Sequence, residues 1–263
     1  LRKAVEDRYL PTGEERRQAH SDLADWFEVK DEWDERDAEE WPWQLLQAKR
    51  HGDLIDFLET PRFLMGLCLC RDNGEQEVLH YWALAKGDNT KPLDEAISED
   101  LLAELDEEPE SEDEFNLQLR TAETVASILE DAGLFRELLI KLREYLLSRA
   151  LARPEEDPST EYLWLGHAYK GSHQPLKAIQ AYRKSLRLRI IRHGDLAEST
   201  LQCAGDLAIL YWEMGRFKIA ERIYRWILTG YRKTFGETHP RIATILSNYS
   251  MPVSYTHLRA HET

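Results

Sequence analysis

Two stretches of the chain carry the same order of large, small and polar residues. The first, LGHAYKGSHQPLKAIQAYRKSL, begins at Leu165, and the second, LAILYWEMGRFKIAERIYRWIL, begins 42 residues later at Leu207. Within each stretch the apolar residues return every three or four positions, which is the spacing of one face of a helix. A unit of this length with an interruption in its middle predicts two antiparallel helices, A and B, in each copy.

Small residues recur at fixed places in both copies. Gly166 and Ala208 occupy the same position on helix A, and Ala178 and Ala220 occupy the same position on helix B. A small side chain where two helices cross allows the backbones to approach, while neighbouring Leu and Tyr side chains fill the remaining volume. We therefore expect these four residues to be buried between the helices.

Helix ends are marked by residues that suit them. Gly215 predicts the turn between helices A and B, because a tight helix-to-helix connection needs a permissive backbone. Ser159 or Thr160 is expected to cap the first A helix with its hydroxyl group. Pro240 suits the first turn of a further A helix.

The pattern resembles the tetratricopeptide repeat, and within it the kinesin-light-chain-like subclass, which has longer units and a G-x-x-H-P loop, here Gly236 to Pro240. A weaker copy begins at Val125, 40 residues before Leu165. The resemblance implies an all-α fold in which helical-hairpin repeats form an α-solenoid. It also implies a protein-binding role without enzymatic activity.

Residues 1–102 lack this period but also favour short helices. Thr12 and Glu15 have the spacing of a capping box, and Ala19, Leu23, Trp26 and Phe27 are predicted to fall on one helical face. At Leu67 to Cys70 a helix-loop-helix competes with a strand that enters an Asn73-Gly74 hairpin.

Three phrases in this half, HSDLADWF, WPWQLLQAKRHGDLIDFLETPRFL and EVLHYWALAKGD, resemble the nephrocystin-3 family and the helical segment of STAND-class signalling proteins. The resemblance implies a scaffold in the cytoplasm or cilium, linked to Wnt signalling, with nephrocystins and inversin as partners. The alternative is the ligand-sensing part of a STAND-class NTPase. No P-loop motif occurs in this sequence, so that nucleotide-binding module would lie outside it.

Charge divides the chain further. Residues 104–114 contain eight acidic residues in eleven, so we expect an acidic linker at 103–115 between the irregular helices and a repeat array at 116–251. Residues 252–263, PVSYTHLRAHET, resemble a translated sequencing adaptor, with a genuine polar tail as the alternative. The net charge of -15 argues against a nucleic-acid-binding surface, and no apolar run is long enough for membrane insertion.

Candidate chemistry is sparse, and we predict no cofactor, metal site or catalytic residue. Cys68 and Cys70, with His80 nearby, could suggest a metal, but a zinc site needs more ligands, which favours buried thiols. His20 is expected to be a packed or surface histidine rather than a general base. The basic helix at Arg183, Lys184, Arg187, Arg189 and Arg192 predicts either a solvated face or a surface for an acidic partner.

The inner face of the A helices is the predicted binding surface, because such faces line the concave groove of repeat superhelices. Ordinary packing between neighbouring A helices is the alternative. In register, the candidate groove residues are Trp164, His167, Lys170, Asp206, Ile209, Trp212, Glu213 and Asn248.

Overall fold

The computed structural model describes residues 12–30, 35–60, 64, 66–68, 74–86 and 92–247. Across these residues all regular secondary structure is helical, which confirms the predicted all-α class. Twelve helices have defined bounds within this part of the chain: α1 Gly13–Glu28, α2 Glu35–Ala48, α3 His51–Glu59, α4 Gly74–Lys86, α5 Leu93–Ala96, α6 Ser98–Asp106, α7 Glu112–Asp131, α8 Glu137–Ala152, α9 Ser159–Gly171, α10 Pro175–His193, α11 Glu198–Glu213 and α12 Phe217–Phe235. Residues 240–247 are also helical.

The chain divides into two compact units between Leu134 and Phe135. The first contains helices α1–α7 and the second contains α8–α12 with the helical residues 240–247. The acidic run covers the end of α6, the connection to α7 and the first turn of α7, where the Ser111 hydroxyl accepts from the Glu114 amide at 3.1 Å. The predicted segment boundaries at 103–115 and 116–251 stay predictions.

In the first unit α1 begins as predicted, and the apolar residues that share one of its faces differ in burial. Thr12 and Glu15 form the capping box. Leu23 and Trp26 are 46% and 54% exposed, however, and the buried residues are His20, Ala24 and Phe27. The buried part of α1 is partly polar: the His20 Nδ1 atom lies 2.7 Å from Gln44 Oε1, and both side chains are buried. His20 is therefore a packed histidine, with its ring edge-on to Trp43.

The ambiguous segment near Leu67 is helical where it is described. Gly66 to Cys68 have helical conformation, and Gly74 begins helix α4. The strand-and-hairpin alternative is therefore wrong for these residues, while Cys70 and Asn73 lie outside the described residues.

In the second unit the helices reproduce the period read from the sequence. Helices α10 and α12 each have 19 residues and begin 42 positions apart, at Pro175 and Phe217. Each is followed by a glycine with positive φ, 92° at Gly194 and 84° at Gly236. The predicted helical hairpins are thus formed by α9 with α10 and by α11 with α12.

The small residues lie where the helices cross. Ala178 and Ala220 are 0% exposed, and Ala208 is likewise fully buried. A Cβ atom added to Gly166 would lie 2.5 Å from the ring of Tyr182, so helix B approaches helix A at van der Waals distance. The prediction of nested helices is confirmed at these positions.

Two helix ends follow the sequence and one does not. Gly215 has φ of +71°, as a turn between helices requires, and Pro240 is the first residue of the helical segment 240–247. No Ser or Thr hydroxyl caps α9. Instead the Asp157 carboxylate accepts from the Ser159 amide at 3.0 Å, because Ser159 is already the first residue of the helix and is buried.

Candidate protein-binding groove

An open groove of about 550 Å³ lies between the A helices of the second unit. Helices α9 and α11 and the helical residues 240–247 form its sides, and α12 contributes its floor. The lining on α11 includes Gln202, Gly205, Asp206 and Ile209, which have the i, i+3, i+4, i+7 spacing of one helical face. The groove therefore follows directly from stacking the A helices side by side.

Four of the eight predicted groove residues line this space: Trp164, His167, Asp206 and Ile209. The indole of Trp164 is 37% exposed and meets the His167 ring edge-on, with 5.3 Å between ring centroids. His167 Nε2 lies 3.5 Å from Asp206 Oδ2, which links α9 to α11. The structure brings these side chains together, and their binding role stays a prediction.

Lys170 and Glu213 do not line the groove but lie beside it. The Lys170 ammonium is 2.8 Å from the Glu213 carboxylate, which forms a second ion pair between α9 and α11. Both side chains are a third or more exposed, so the pair contributes little to stability. Its role is to align the two A helices.

Trp212 lies away from the groove. Its ring packs against Phe217, with centroids 6.4 Å apart, and its Nε1 atom is buried without a hydrogen-bond partner. Asn248 lies outside the described residues. Of these two predicted groove residues, Trp212 thus does not line the groove and Asn248 is not described.

The sequence prediction missed groove residues from outside the two matched A helices. Tyr224 and Tyr231 reach the groove from helix α12, and Arg241 and Ile245 reach it from residues 240–247. The Arg241 guanidinium lies 3.4 Å from Glu198, with half of its side chain exposed. The register comparison does not indicate these residues, because it does not show that a B helix also forms the floor of the groove.

The tyrosine hydroxyls in the groove have raised pKa values and therefore stay neutral. Burial raises the pKa of Tyr224 to about 12, with additional contributions from Glu213 and Asp206, and burial also raises the pKa of Tyr231. Burial likewise raises the pKa of the Cys203 thiol, which lies beneath the helices, 3.5 Å from the Ser185 hydroxyl. The groove therefore offers aromatic faces and hydrogen-bonding groups rather than an activated nucleophile.

The structure describes part of the other candidate sites, which are the cysteines and the basic helix. Among the described residues, no group of three or more His, Cys, Asp or Glu side chains could hold a metal ion. Cys68 is partly buried and not in a disulfide, while Cys70 lies outside the description. In the basic helix Arg189 is buried, contrary to a solvated face, since it donates to the Ser199 carbonyl at 3.1 Å. None of the described helices is both long and apolar enough to cross a membrane.

The repeated hairpins define the class of this part of the chain: residues 158–233 match the family model described as tetratricopeptide repeat. With the helical hairpins, this match confirms the all-α tetratricopeptide fold. The nephrocystin-3 resemblance gains no support from it.

Three solved structures are among those similar to the chain. BtubC (BKLC) from P. vanneervenii matches with 21% identity and a TM-score of 0.47, over 55% of this chain and 57% of that one. Two crystal structures of a Podosopora anserina protein, described by the words "kinesin light chain nearly identical TPR-like repeats", match with 14% and 13% identity and TM-scores of 0.46. They cover 76% of this chain and 95% and 96% of theirs. Comparison with curated proteins gives no match.

Proposed function

We propose that the chain is a protein-interaction scaffold that binds a segment of a partner protein in the groove between its A helices. The observation that carries the proposal is the groove itself, an open space of about 550 Å³ lined by aromatic, aliphatic and polar side chains together. Specific peptide sites combine these features, because apolar side chains supply affinity and a few polar groups fix orientation.

The apolar part of the groove would anchor a partner side chain. Trp164 and Ile209 are partly exposed at the groove wall. Between them and the floor, Gly205 leaves free space, since a Cβ atom there would meet nothing within 4 Å. A partner main chain can therefore approach helix α11 closely at this point.

The polar part would orient the bound segment. Arg241 presents a half-exposed guanidinium, and Asp206 presents a carboxylate that is paired with His167. These groups come from different elements, Asp206 from α11 and Arg241 from residues 240–247, and can bind an amide and a carboxylate of a peptide, respectively.

Peptides selected from a phage-displayed library on the purified chain provide the test. Their dissociation constants are measured by fluorescence anisotropy for the wild type, for Ile209→Asp and for the control Ile219→Asp, which changes an exposed isoleucine outside the groove in the same hairpin. We expect Ile209→Asp to weaken binding at least tenfold and Ile219→Asp to change it less than twofold. Equal effects of the two substitutions, with unchanged circular dichroism, would refute the groove as the binding site.

The resemblance of residues 1–102 predicts more specific partners, nephrocystins and inversin, and a ciliary location. Titration of the purified chain with labelled inversin, using the same pair of variants, tests the partner prediction. The alternative role as a regulatory part of a STAND-class NTPase predicts a P-loop encoded upstream in the same transcript.

A further inference from the structure

Positive charge is concentrated on the outer side of helix α10. This helix has six Lys and Arg residues and no Asp or Glu, in a chain whose net charge is -15. Lys177, Arg183, Lys184 and Arg187 are exposed. Within the part of the chain that the structure describes, no carboxylate forms an ion pair with any of these four. Their charge is therefore available to a binding partner.

A cavity of about 480 Å³ lies beside these cations, between helices α8 and α10 and above α9. Its lining combines polar side chains with apolar ones, of which Leu147 and Leu165 are buried and Leu151 is 55% exposed. It shares no lining residue with the groove between the A helices. The cavity is within the size range of ligand-binding pockets in proteins and is large enough to admit an apolar side chain.

Two lysines are held at the edge of this cavity by tyrosine rings. The Lys177 ammonium lies 5.3 Å from the ring centroid of Tyr169, and the Lys184 ammonium lies 5.0 Å from that of Tyr162. A ring face orients an ammonium group without neutralising its charge. Because the lysines are seven residues apart, their attachment points are separated by about 10 Å along the helix.

Packing of the repeat does not require these lysines. Forty-two residues later, the positions of Lys177 and Lys184 are occupied by Ile219 and Trp226, whereas Ala178 is again an alanine, Ala220. The buried framework is repeated and the lysine pair is not. The lysine pair is therefore a property of this one hairpin.

We propose that this surface binds an acidic amphipathic helix of a partner protein. Two acidic side chains seven positions apart would meet Lys177 and Lys184, and an apolar side chain between them would enter the cavity. The Glu144 carboxylate lines the same cavity and accepts from the Tyr169 hydroxyl at 2.5 Å. The apolar side chains in the lining favour a peptide, because they can bury an apolar side chain of a helix, whereas a phosphate polymer would gain only its contacts with the cations.

A synthetic amphipathic peptide of about 18 residues, long enough to form helix, tests the proposal. It carries two Glu residues seven positions apart with Leu midway between them, and a fluorescein label for anisotropy measurements. The variant K177E/K184E reverses both lysines, and K218E/K233E makes the same change of charge on two exposed lysines of helix α12. A second peptide has Lys in place of both Glu residues.

We expect the acidic peptide to bind the wild type and K218E/K233E with affinities within twofold of each other. Binding to K177E/K184E should fall at least tenfold, and the Lys-containing peptide should bind that variant in preference to the wild type. Absence of binding to the wild type, or equal loss in both variants, would overturn the proposal. So would binding of phosphatidylserine vesicles or a single-stranded oligonucleotide that depends on Lys177 and Lys184 when the peptide does not bind.

Discussion

Replacement of Gly166 by Ala tests the close approach of helices α9 and α10. The added Cβ atom would lie 2.5 Å from two atoms of the Tyr182 ring, about 1 Å inside ordinary contact distance. Tyr182 is 1% exposed, and its ring meets that of His167 edge-on with centroids 5.5 Å apart. The ring therefore has little space into which it can move.

Two opposing contributions set the size of the effect. Overpacking a filled interior costs about 1–3 kcal/mol, while replacing glycine by alanine within a helix gains about 1 kcal/mol. Gly205→Ala is the matched control, because Gly205 is also inside an A helix and its Cβ would meet nothing within 4 Å. The helical gain is common to both variants, so the difference between them, about 1–3 kcal/mol, measures the overpacking alone.

Urea denaturation followed by circular dichroism gives the free energies of unfolding for both variants and the wild type. We expect Gly166→Ala to unfold at lower urea than the wild type, and Gly205→Ala at the same or higher urea. A second change, Tyr182→Leu, should cost less in the Gly166→Ala background than in the wild type, since it removes the ring that clashes. The adjacent hairpin combines an alanine, Ala208, with Tyr224 at the equivalent positions, so the repeat can accommodate this pair. Equal stability of the two alanine variants would therefore show that Gly166 is not in close contact with Tyr182 and would refute the inference.

Three further predictions concern stability. His173 has φ of +58° at the turn where the next hairpin has Gly215, so His173→Gly should raise the free energy of unfolding by about 0.5–1 kcal/mol and Gly215→His should lower it by about 1–2 kcal/mol in urea titrations. Asp157→Ala should lower the free energy of unfolding by about 1 kcal/mol by removing the cap of α9, and Asp157→Asn should lower it much less. Burial opposes ionisation of Asp157, but the hydrogen bonds from Ser159 and the charge of Arg192 lower its pKa. The stability that the ionised carboxylate contributes should therefore disappear as the pH falls below about 4. Burial raises the pKa of Tyr224 to about 12, and burial with the Glu144 hydrogen bond raises that of Tyr169 to about 12. The stability that these two hydroxyls contribute is complete below the ordinary tyrosine pKa of about 10 and is lost as the pH rises to about 12, so tyrosinate absorbance and unfolding should increase together in that range. Titration of both tyrosines at about pH 10 would contradict their burial.

The sequence was sufficient where one residue type has one structural use. A repeated small residue such as Ala178 or Ala220 has few roles besides a helix crossing, and both are buried as predicted. It was insufficient where a local rule had a competitor. The Asp157 carboxylate, and not the expected hydroxyl group, accepts the hydrogen bond at the start of α9. His173 has a left-handed conformation at a turn where the neighbouring units have glycine, so the sequence does not indicate this turn.

The sequence predicted only the part of the groove that the A helices form. Register comparison locates A-helix positions such as Trp164 and Asp206, since a shared framework puts them on one face. It gives no distance between helices, so it could not show that Tyr231 reaches the groove from a B helix or that Trp212 turns towards Phe217 instead. These outcomes depend on how far each helix is rotated and displaced, which many small packing contributions determine together.

Comparison of the two hairpins separates the residues that build the fold from those that are free to select a partner. The positions of Ala178 and Tyr182 are repeated as Ala220 and Tyr224 and are buried in both copies. Trp164 is instead replaced by Asp206, and both side chains line the groove. Buried positions are constrained because a change of volume costs free energy in either hairpin, whereas surface positions carry no such cost. A stack of similar hairpins can therefore present different chemistry on its two sides, with an aromatic groove between the A helices and a cationic cavity at the B helices, while one buried framework holds both.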